Sequence, residues 1–310
     1  AVKKECIKFI NNLTKNGQTK LSHFPDDIQL KMGYVYLLYL YFQYSDLLDV
    51  HIDQQLKEDT PLMVSWYPEL AKKIVDFGIP SSPEYYMALF FQLRRAYYFI
   101  DKFIKGSSLC ITKLRADIWN CIFTNSFARY NESLWNRMED FSILLTAPTG
   151  TGKSMSAKVI GFSSFIPFND KTNQFIKPFH MLFRSINLTE YSNTLIESEL
   201  FGFKKGAFTD ANEDKQGLFS GTSTFHTILL DEVGETPIST QIKLLRVLQD
   251  RNFYPVGSII PERFFGRIIG ATNKPLEDLN NNKTFRQDFF YRLSSQIISL
   301  PSLRNQLNEA

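Results

Sequence analysis

The sequence contains little cysteine. Its 310 residues include three cysteines, Cys6, Cys110 and Cys121, which are odd in number and lie far apart along the chain. Such a set excludes a disulfide framework and favours reduced thiols in a cytoplasmic protein. The four histidines form no metal-ligand spacing with each other or with the cysteines. We therefore expect neither a secreted disulfide scaffold nor a metal site built from these side chains.

A strong net charge and long apolar runs are also lacking. The formal net charge of +3 is too small to indicate a nucleic-acid partner by itself. No signal-peptide pattern follows the amino terminus, and the missing initiator methionine indicates a processed chain or an excised fragment. The uncharged segment Met32 to Ser45 is shorter than the about 20 apolar residues of a membrane-spanning helix. It favours a buried helix over a membrane or partner-docking surface, so we expect no membrane span.

A phosphate-binding motif occupies the middle of the chain. Residues 147–154 read Ala-Pro-Thr-Gly-Thr-Gly-Lys-Ser, between an apolar run at Phe141 to Leu145 and a helix-like segment at Met155 to Ile160. Strand, glycine-rich loop, Lys-Ser and helix together are typical of the phosphate-binding loop of a nucleotide hydrolase. Ala147 stands where this motif usually begins with glycine, and alanine accepts most backbone angles except a positive φ.

Each residue type in this loop suits a task. Gly150 and Gly152 let backbone N–H groups turn towards phosphate oxygens. Lys153 places a positive charge on the β- and γ-phosphates of ATP, and we expect its side chain to face solvent. The Ser154 hydroxyl is placed to bind Mg²⁺.

An acidic motif supplies the second half of the predicted site. The apolar run that begins at Thr227 ends in Asp231 and Glu232. Asp231 is expected to bind Mg²⁺ directly or through water, and Glu232 to be the general base for the attacking water. The predicted residues for binding ATP and Mg²⁺ are Thr149, Gly150, Thr151, Gly152, Lys153, Ser154 and Asp231.

The first third of the chain reads as helical. Apolar residues recur at helical spacing before residue 106, which predicts an all-α domain at 1–105. The predicted helices run from Ile28 to Leu48, from Tyr67 to Phe77 and from Glu84 to Ile104. Arg94 and Arg95 are interpreted as a solvated helix face, with a ligand or nucleic-acid patch as the alternative. A helical linker at 106–140 is predicted to contain a helix from Leu114 to Phe127.

Strands and helices alternate from 141 to 310. This order predicts an α/β fold with a parallel sheet covered by helices on both faces. The site then lies at the carboxyl ends of the strands. The predicted strands are Phe141 to Leu145, His180 to Ile186, Thr227 to Asp231, Arg267 to Ala271 and Ser295 to Leu300. The predicted helices are Ser192 to Phe201 and one that starts at Thr236-Pro237, with Thr236 as its N-cap.

Further motifs lie around the acidic strand. The stretch Glu197 to Ala211 contains Glu-Leu-Phe-Gly followed by Gly-Ala-Phe-Thr-Asp-Ala. It resembles a signature of one AAA+ ATPase family, the bacterial enhancer-binding proteins that activate transcription by the sigma-54 form of RNA polymerase. The resemblance continues through Leu229 to Glu235, Gln241 to Gln249, Ala271 to Asn273 and Phe285 to Leu293. It covers about residues 141 to 305 and implies a three-layer αβα domain, a ring that is a hexamer, and ATP hydrolysis coupled to remodelling of sigma-54 RNA polymerase.

The resemblance also implies roles for single residues. Asn187 restrains Glu232 until the γ-phosphate arrives, and Asn273 senses that phosphate from the end of its strand. Arg286 and Arg292 reach the nucleotide of the neighbouring subunit, where a planar cation stabilises the transferred phosphoryl group. A surface salt bridge is the alternative for either arginine. The loop that contacts sigma-54 consists of Gly206, Ala207, Phe208, Thr209, Asp210 and Ala211.

Three departures from the family pattern stand out. Asp210 replaces a glycine, which suits a loop tip that needs a positive φ, and it adds negative charge to the loop. Phe225 and His226 replace a usual glycine pair, and His226 is interpreted as a turn residue. The chain stops at Pro301 to Asn305, where the family begins its helical lid. The lid is therefore expected to be missing, and DNA to be contacted only through a domain outside this chain.

The sequence leaves three functions open. The first is a cytoplasmic ring ATPase that activates sigma-54 RNA polymerase, with the helical domain as its regulatory input. The second is a nucleotide-regulated assembly module with little turnover, which the missing lid favours and Glu232 disfavours. The third is an ATPase that remodels a partner other than sigma-54, which Asp210 motivates.

Overall fold

The computed structural model describes residues 2–126, 129–281, 284–302 and 304. The chain divides into two compact units. The first, here called the helical unit, contains residues 1–98 and 165–180, and the second, the nucleotide unit, contains residues 99–164 and 181–310. The predicted domains at 1–105, 106–140 and 141–310 divide the chain differently and stay a prediction.

Four helices are described in the amino-terminal part of the chain, of which the apolar spacing predicts the last three. They are α1 (Val2–Lys15), α2 (Asp26–Gln55), α3 (Tyr67–Phe77) and α4 (Pro83–Phe103). A proline in its first turn favours the start of α3, and Gly78, with φ 89°, ends it. The uncharged segment Met32 to Ser45 lies inside α2. No helix among the described residues has both the length and the apolar character needed to cross a membrane.

A short hairpin from later in the sequence completes the helical unit. Strands β2 (Phe168–Asn169) and β3 (Gln174–Phe175) pair antiparallel. The ring of Phe175 stacks on Phe91 of α4 with centroids 4.0 Å apart, and Phe168 packs against Tyr67 at 4.4 Å. The Asn173 carbonyl accepts a hydrogen bond of 2.8 Å from the Val64 N–H. The hairpin therefore contributes two aromatic side chains to the core of a unit formed mainly by residues 1–98.

The solvated helix face predicted at Arg94 and Arg95 is wrong for Arg95. Its side chain is fully buried, and its guanidinium lies 4.4 Å from the ring centre of Phe91 and 5.5 Å from that of Phe179. Arg94 forms a double hydrogen bond with the carboxylate of Asp49. Cation–π contact thus replaces the water that was expected around Arg95, whereas the ion pair of Arg94 is still partly exposed.

A five-stranded parallel sheet forms the centre of the nucleotide unit and confirms the predicted fold class. Its strands are β1 (Ile143–Thr146), β4 (Phe183–Asn187), β7 (Thr227–Asp231), β10 (Arg267–Thr272) and β11 (Gln296–Ser299), in the spatial order β11-β1-β10-β7-β4. Two short antiparallel pairs lie outside this sheet, β5 (Gly202–Phe203) with β6 (Lys215–Gln216) and β8 (Asn252–Phe253) with β9 (Glu262–Arg263). The central strands β1, β7 and β10 are almost wholly buried, as parallel strands covered on both faces should be.

Among the described residues, six α-helices accompany this sheet. They are α5 (Leu109–Phe123), α6 (Lys153–Phe162), α7 (Asn193–Phe201), α8 (Ile238–Asp250), α9 (Leu276–Asn281) and α10 (Gln287–Leu293). Leucine and phenylalanine side chains of α7, α8 and α10 share one apolar core with β7 and β10. The unit therefore has the alternating strands and helices that its sequence predicts.

Several predicted boundaries are wrong by a few residues. The helix predicted from Leu114 to Phe127 begins at Leu109 and ends at Phe123, and Phe127 itself is outside the described residues. Residues 179–182 form a 3₁₀ turn, so β4 begins at Phe183 rather than His180. The N-cap of α8 is Pro237 and not Thr236, because the Thr236 hydroxyl donates to the carbonyl of Val233 instead.

Candidate nucleotide-binding site

The glycine-rich loop lies between β1 and α6, at the carboxyl edge of the sheet. Gly150 and Gly152 have φ values of 82° and 94°. No heavy atom lies within 4 Å of a Cβ placed on either residue, so the backbone angle rather than crowding favours glycine there. Ala147 does not have a positive φ, which makes alanine compatible with the start of the loop. Thr149 is exposed, and Thr151 donates a hydrogen bond of 2.8 Å to the Pro148 carbonyl.

The Lys153 side chain is buried, so the expectation that it faces solvent is wrong. Only 6% of it is exposed, and its ammonium donates to the carbonyls of Ala147 at 2.9 Å and Pro148 at 3.4 Å. The carboxylate of Glu232 lies 4.0 Å away. Lys153 therefore points back into the phosphate-binding loop, where its charge is close to the predicted base.

The two residues predicted to bind Mg²⁺ meet. The Ser154 hydroxyl, in the first turn of α6, donates a hydrogen bond of 2.8 Å to Oδ2 of Asp231 at the end of β7. A hydroxyl and a carboxylate oxygen are the ligand types that Mg²⁺ prefers. The described residues contain no cluster of three or more His, Cys, Asp or Glu side chains that could hold a metal. Because Mg²⁺ is usually bound by one or two protein oxygens together with phosphates and water, this pair fits the ion.

Glu232 stands in an uncommon backbone conformation directly after β7. Its φ and ψ are 54° and 41°, in the left-handed region. Its N–H donates to Oδ1 of Asp231 at 3.0 Å, and its Oε2 accepts a bond of 3.3 Å from the Asn273 N–H. A non-glycine residue rarely adopts these angles unless its surroundings hold it there, and such residues concentrate at functional sites.

Asn187 and Asn273 lie at neighbouring strand ends, on either side of the acidic motif. Asn187 pairs in register with Asp231, and Asn273 directly follows β10. The Asn187 amide oxygen accepts bonds from the Thr189 N–H and hydroxyl at 3.1 and 2.9 Å. In the described part of the chain no hydrogen bond joins Asn187 to Glu232. Restraint of the base by Asn187 stays a prediction.

Both predicted arginine fingers have partners within the chain. Arg286 caps α10 and binds Asp288 through two bonds of 3.0 and 2.8 Å. Arg292, on the same helix, donates twice to the carbonyl of Leu248 near the end of α8. The sequence alternative of a surface salt bridge matches the geometry of Arg286. The inter-subunit role of both residues stays a prediction.

The predicted partner loop projects from the β5–β6 hairpin. The Gly206 N–H donates to the Ala211 carbonyl at 2.8 Å, and Gly206 has a φ of 82°. Phe208 is 42% exposed, with its ring 4.8 Å from that of Phe203. Asp210 is exposed and does not have a positive φ. The expectation that position 210 needs a glycine-like backbone is therefore wrong, because the left-handed residue of this loop is Gly206.

His226, which the sequence suggested as a turn residue, lies in a turn. It is 2% exposed, and its Nδ1 accepts a hydrogen bond of 2.9 Å from the Ser223 N–H. Its carbonyl accepts from the N–H of Arg267 at 2.8 Å. His226 thereby connects the turn before β7 to the start of β10, away from the acidic end of the strand.

Sequence reasoning missed Lys274. This residue follows Asn273, and its ammonium donates to the Gly234 carbonyl at 2.8 Å and pairs with Glu235 at 2.9 Å. Its N–H donates to the Thr272 hydroxyl at 3.1 Å. A lysine after a strand is ordinarily a solvated side chain and does not by itself indicate a contact. Its position beside the predicted sensor was therefore the one signal in the sequence.

Comparisons with known proteins place most of the nucleotide unit in a family. A family profile described as the sigma-54 interaction domain matches residues 127–299. The regulatory protein AtoC of Escherichia coli is 38% identical over 191 residues, which are 61% of this chain and 39% of AtoC. The DNA-binding transcriptional regulator NtrC of Escherichia coli is 39% identical over 165 residues, 53% of this chain and 32% of NtrC. The chain thus spans less than half the length of these two relatives.

Solved structures share the fold. Crystal structures of NtrX from Brucella abortus align with 79% of this chain and 51% of NtrX at a TM-score of 0.50 and 25% identity. The NtrX complex with ATP aligns at a TM-score of 0.51 and 24% identity, covering 79% of this chain and 50% of NtrX. These matches agree with the parallel α/β architecture seen here.

Proposed function

The chain belongs to the family of sigma-54 interaction domains, and on this premise we propose that it is an AAA+ ATPase that couples ATP hydrolysis to remodelling of sigma-54 RNA polymerase. The observation that carries the proposal is the contact of 2.8 Å between Ser154 and Asp231, with Lys153 and Glu232 beside it. Hydroxyl, carboxylate, cation and base are the groups that phosphoryl transfer to water requires.

The phosphate-binding loop and α6 bind the triphosphate. Backbone N–H groups around Gly150 and Gly152 and the amino terminus of α6 favour an anion. Lys153 exchanges the carbonyls of Ala147 and Pro148 for β- and γ-phosphate oxygens, which offer it charge-assisted bonds. The complex of NtrX with ATP supports this assignment at the level of the shared fold.

Ser154 and Asp231 would hold Mg²⁺, which would supply positive charge beside the phosphates. Glu232 accepts the proton of the attacking water, since its carboxylate is partly shielded and lies within the same cluster. Asn273 donates its N–H to that carboxylate, so the predicted sensor and the predicted base are directly connected.

The replacement of Glu232 by Gln tests the chemistry. Glu232→Gln keeps the shape of the side chain but removes the base, so turnover should fall by about 10²–10⁴-fold while ATP binding persists. Phosphate release and a nucleotide-binding titration measure the two effects. Glu197→Gln, which changes a carboxylate on α7, is the control and should retain turnover. Unchanged turnover in Glu232→Gln would place the base elsewhere.

Phe208 carries the partner contact. Its exposed ring is a suitable anchor, and it lies in the loop of the β5–β6 hairpin rather than in the phosphate-binding loop. Phe208→Ala should abolish capture of purified sigma-54 in the presence of ADP and aluminium fluoride, and should leave ATP hydrolysis intact. Phe265, another half-exposed phenylalanine of the nucleotide unit, provides the matched control Phe265→Ala. Equal capture by Phe208→Ala and the wild type would contradict this role.

Ring assembly, as a hexamer, would give Arg286, at the N-cap of α10, and Arg292, within α10, a role between subunits. Arg286 would leave Asp288 and Arg292 would leave Leu248 to reach a nucleotide on the adjacent subunit. Arg286→Ala and Arg292→Ala should each inactivate a uniform ring, and mixing either with Lys153→Ala chains should restore some hydrolysis. Absence of rescue in mixed rings whose formation is demonstrated would exclude action across the interface.

A second candidate is an AAA+ ATPase acting on another partner. Asp210 is exposed in the partner loop and adds a negative charge there. A wild-type chain that hydrolyses ATP but does not capture sigma-54 in the trapped state would favour this candidate. For either partner we propose a cytoplasmic location, consistent with three free cysteines, and DNA contact only through a domain outside this chain.

A further inference from the structure

The turn after Glu232 is fastened to the end of β10 by one side chain. Lys274 donates from its ammonium to the Gly234 carbonyl at 2.8 Å, and its own N–H is bound to the Thr272 hydroxyl at 3.1 Å. We propose that Lys274 is a positioning residue that holds Glu232 in the geometry needed for hydrolysis. The inference rests on the proposed ATPase function and adds to it a residue that touches neither the nucleotide nor the attacking water.

Glu232 needs such support because of its backbone. Its left-handed φ of 54° is a strained conformation for a residue with a side chain. Three hydrogen bonds hold it locally: its own N–H donates to Oδ1 of Asp231 at 3.0 Å, the Glu235 N–H donates to its carbonyl at 3.0 Å, and the Asn273 N–H donates to its carboxylate at 3.3 Å. Lys274 binds the carbonyl of Gly234, which lies inside the turn from Glu232 to Glu235. A change in the backbone of this turn would therefore break the bond between Lys274 and Gly234.

Close packing accompanies this contact. A Cβ on Gly234 would lie 2.6 Å from the Thr272 hydroxyl oxygen and 3.1 Å from Cδ of Lys274. Gly234 does not have a positive φ. Glycine is therefore required at this position by the close approach of Lys274 and Thr272 and not by the backbone angle. The turn is shaped to accept the lysine stem against it.

The two interactions of the Lys274 ammonium should contribute unequally to holding the turn. Its ion pair with Glu235 is partly exposed, at 28% and 48% of the two side chains, and pairs of this kind contribute little. The bond to the Gly234 carbonyl acts on buried backbone beside the base. Loss of the lysine head should therefore matter much more than loss of the Glu235 charge.

Lys274 also links the predicted sensor to the base. It is the neighbour of Asn273, whose N–H binds the Glu232 carboxylate. A shift of Asn273 on meeting a γ-phosphate would therefore act on the Glu232 carboxylate directly, and on the Gly234 carbonyl through Lys274. A residue in this position should affect the rate of the chemical step and not the affinity for ATP.

The test compares Lys274→Met with its conservative and control variants in the full chain. Under single-turnover conditions, Lys274→Met should lower the hydrolysis rate by about tenfold or more, because small displacements of a catalytic group are costly. Its ATP affinity should stay within about threefold, which is a change in binding free energy of only about 0.65 kcal/mol. Lys274→Arg should recover most of the rate, and Glu235→Gln should lose little. Lys243→Met, which breaks the 2.6 Å pair with Glu197, is the matched control and should behave like the wild type.

Hydrogen exchange separates this inference from the function it rests on. Amides of residues 232–236 should exchange faster in Lys274→Met than in the wild type or Lys243→Met. Unchanged exchange there, or a normal hydrolysis rate in Lys274→Met, overturns the inference. Parallel losses of ATP affinity and global stability would overturn it too, because they indicate a general structural role. A wild-type chain without hydrolysis contradicts the proposed function instead, and the exchange measurement still decides whether Lys274 holds the turn.

Discussion

Each unit of the molecule contains a buried cation that can be compared, Arg95 in the helical unit and Lys153 in the nucleotide unit, and these two differ in what surrounds them. In the helical unit, the Arg95 guanidinium is fully buried against the rings of Phe91 and Phe179. In the nucleotide unit, Lys153 is 6% exposed and is bound to two backbone carbonyls of the loop, with Glu232 at 4.0 Å. Aromatic rings fill space around Arg95, whereas the Lys153 ammonium is bound to a loop rich in glycine.

This difference separates a cation that stabilises from one that can exchange partners. Arg95 contributes apolar contact and cation–π attraction, which depend on the packed rings remaining in place. The carbonyls that Lys153 contacts are neutral acceptors, and a phosphate oxygen would form a stronger, charge-assisted bond with it. Burial alone therefore does not identify a structural cation, because the partners of the charge decide its role.

The largest expected effect on function is the loss of nucleotide binding in Lys153→Ala. Removal of the phosphate ligand should weaken ATP binding by about 100-fold or more, which corresponds to about 2.7 kcal/mol. Titration with a fluorescent ATP analogue measures the affinity, and hydrogen exchange verifies that the fold persists. Lys158→Ala alters an exposed lysine of the same helix and should bind normally. Tight ATP binding by folded Lys153→Ala would refute the assignment of the phosphate-binding loop.

The largest expected effect on stability concerns the hairpin that completes the helical unit. Phe175 is 3% exposed and stacks on Phe91, so Phe175→Ala should lower the free energy of unfolding of this unit by about 3–5 kcal/mol. Hydrogen exchange of peptides from α2 and α4 reports the change. Ile176, the next residue, is 45% exposed, and Ile176→Ala should cost less than about 1 kcal/mol. Equal costs for the two variants would show that the hairpin is not part of this core.

A smaller, pH-dependent effect should come from His51. Burial, with a contribution from the charge of Arg95, lowers the pKa of His51 from 6.5 to about 4. Between pH 6.5 and about pH 4, His51 is therefore protonated in the unfolded chain but remains largely neutral in the folded chain. As the pH falls from about 6.5 to about 4, the helical unit should lose up to about 3 kcal/mol of stability through this residue.

The variant His51→Gln isolates this contribution. It does not titrate, so its unfolding free energy should fall less steeply than that of the wild type across the same window. The difference between the two profiles, measured by urea unfolding at several pH values, removes the titration of carboxylates common to both chains. Parallel profiles would show that the folded protein accommodates the protonated imidazole.

The nucleotide unit was largely predictable because its signals are local. Gly150 to Ser154 are consecutive, and Asp231 and Glu232 end an apolar strand, so each motif indicates its own place at the edge of a parallel sheet. The order of strands and helices, and the meeting of Ser154 with Asp231, follow from that pattern. The roles of the individual site residues remain predictions.

Contacts between distant segments were not predictable in the same way. Phe175 belongs to the helical unit although it lies 77 positions after Tyr98, the end of that unit's main segment (175 − 98). Arg95 is buried partly against Phe179, a ring on that same distant stretch. Two further features depend on the ends of β7 and β10 together. They are the left-handed backbone of Glu232 and the hydrogen bond from Lys274 to Gly234. Periodicity and motif spacing carry no information on such pairs.

The smallest expected effect is at Asp210, where the backbone of the partner loop contradicts an argument from strain. Because Asp210 does not have a positive φ, Asp210→Gly relieves no strain and should lower the free energy of unfolding by at most about 1 kcal/mol through added flexibility. Gly206, with φ 82°, is the contrasting position, and Gly206→Ala should cost about 1–2 kcal/mol.

Any effect of residue 210 on sigma-54 capture must then come from its charge. Asp210→Asn removes the charge and should change capture as much as Asp210→Gly does, with a difference from the wild type that diminishes as salt screens it. Stronger capture by Asp210→Gly alone would mean that backbone freedom, not charge, limits this loop.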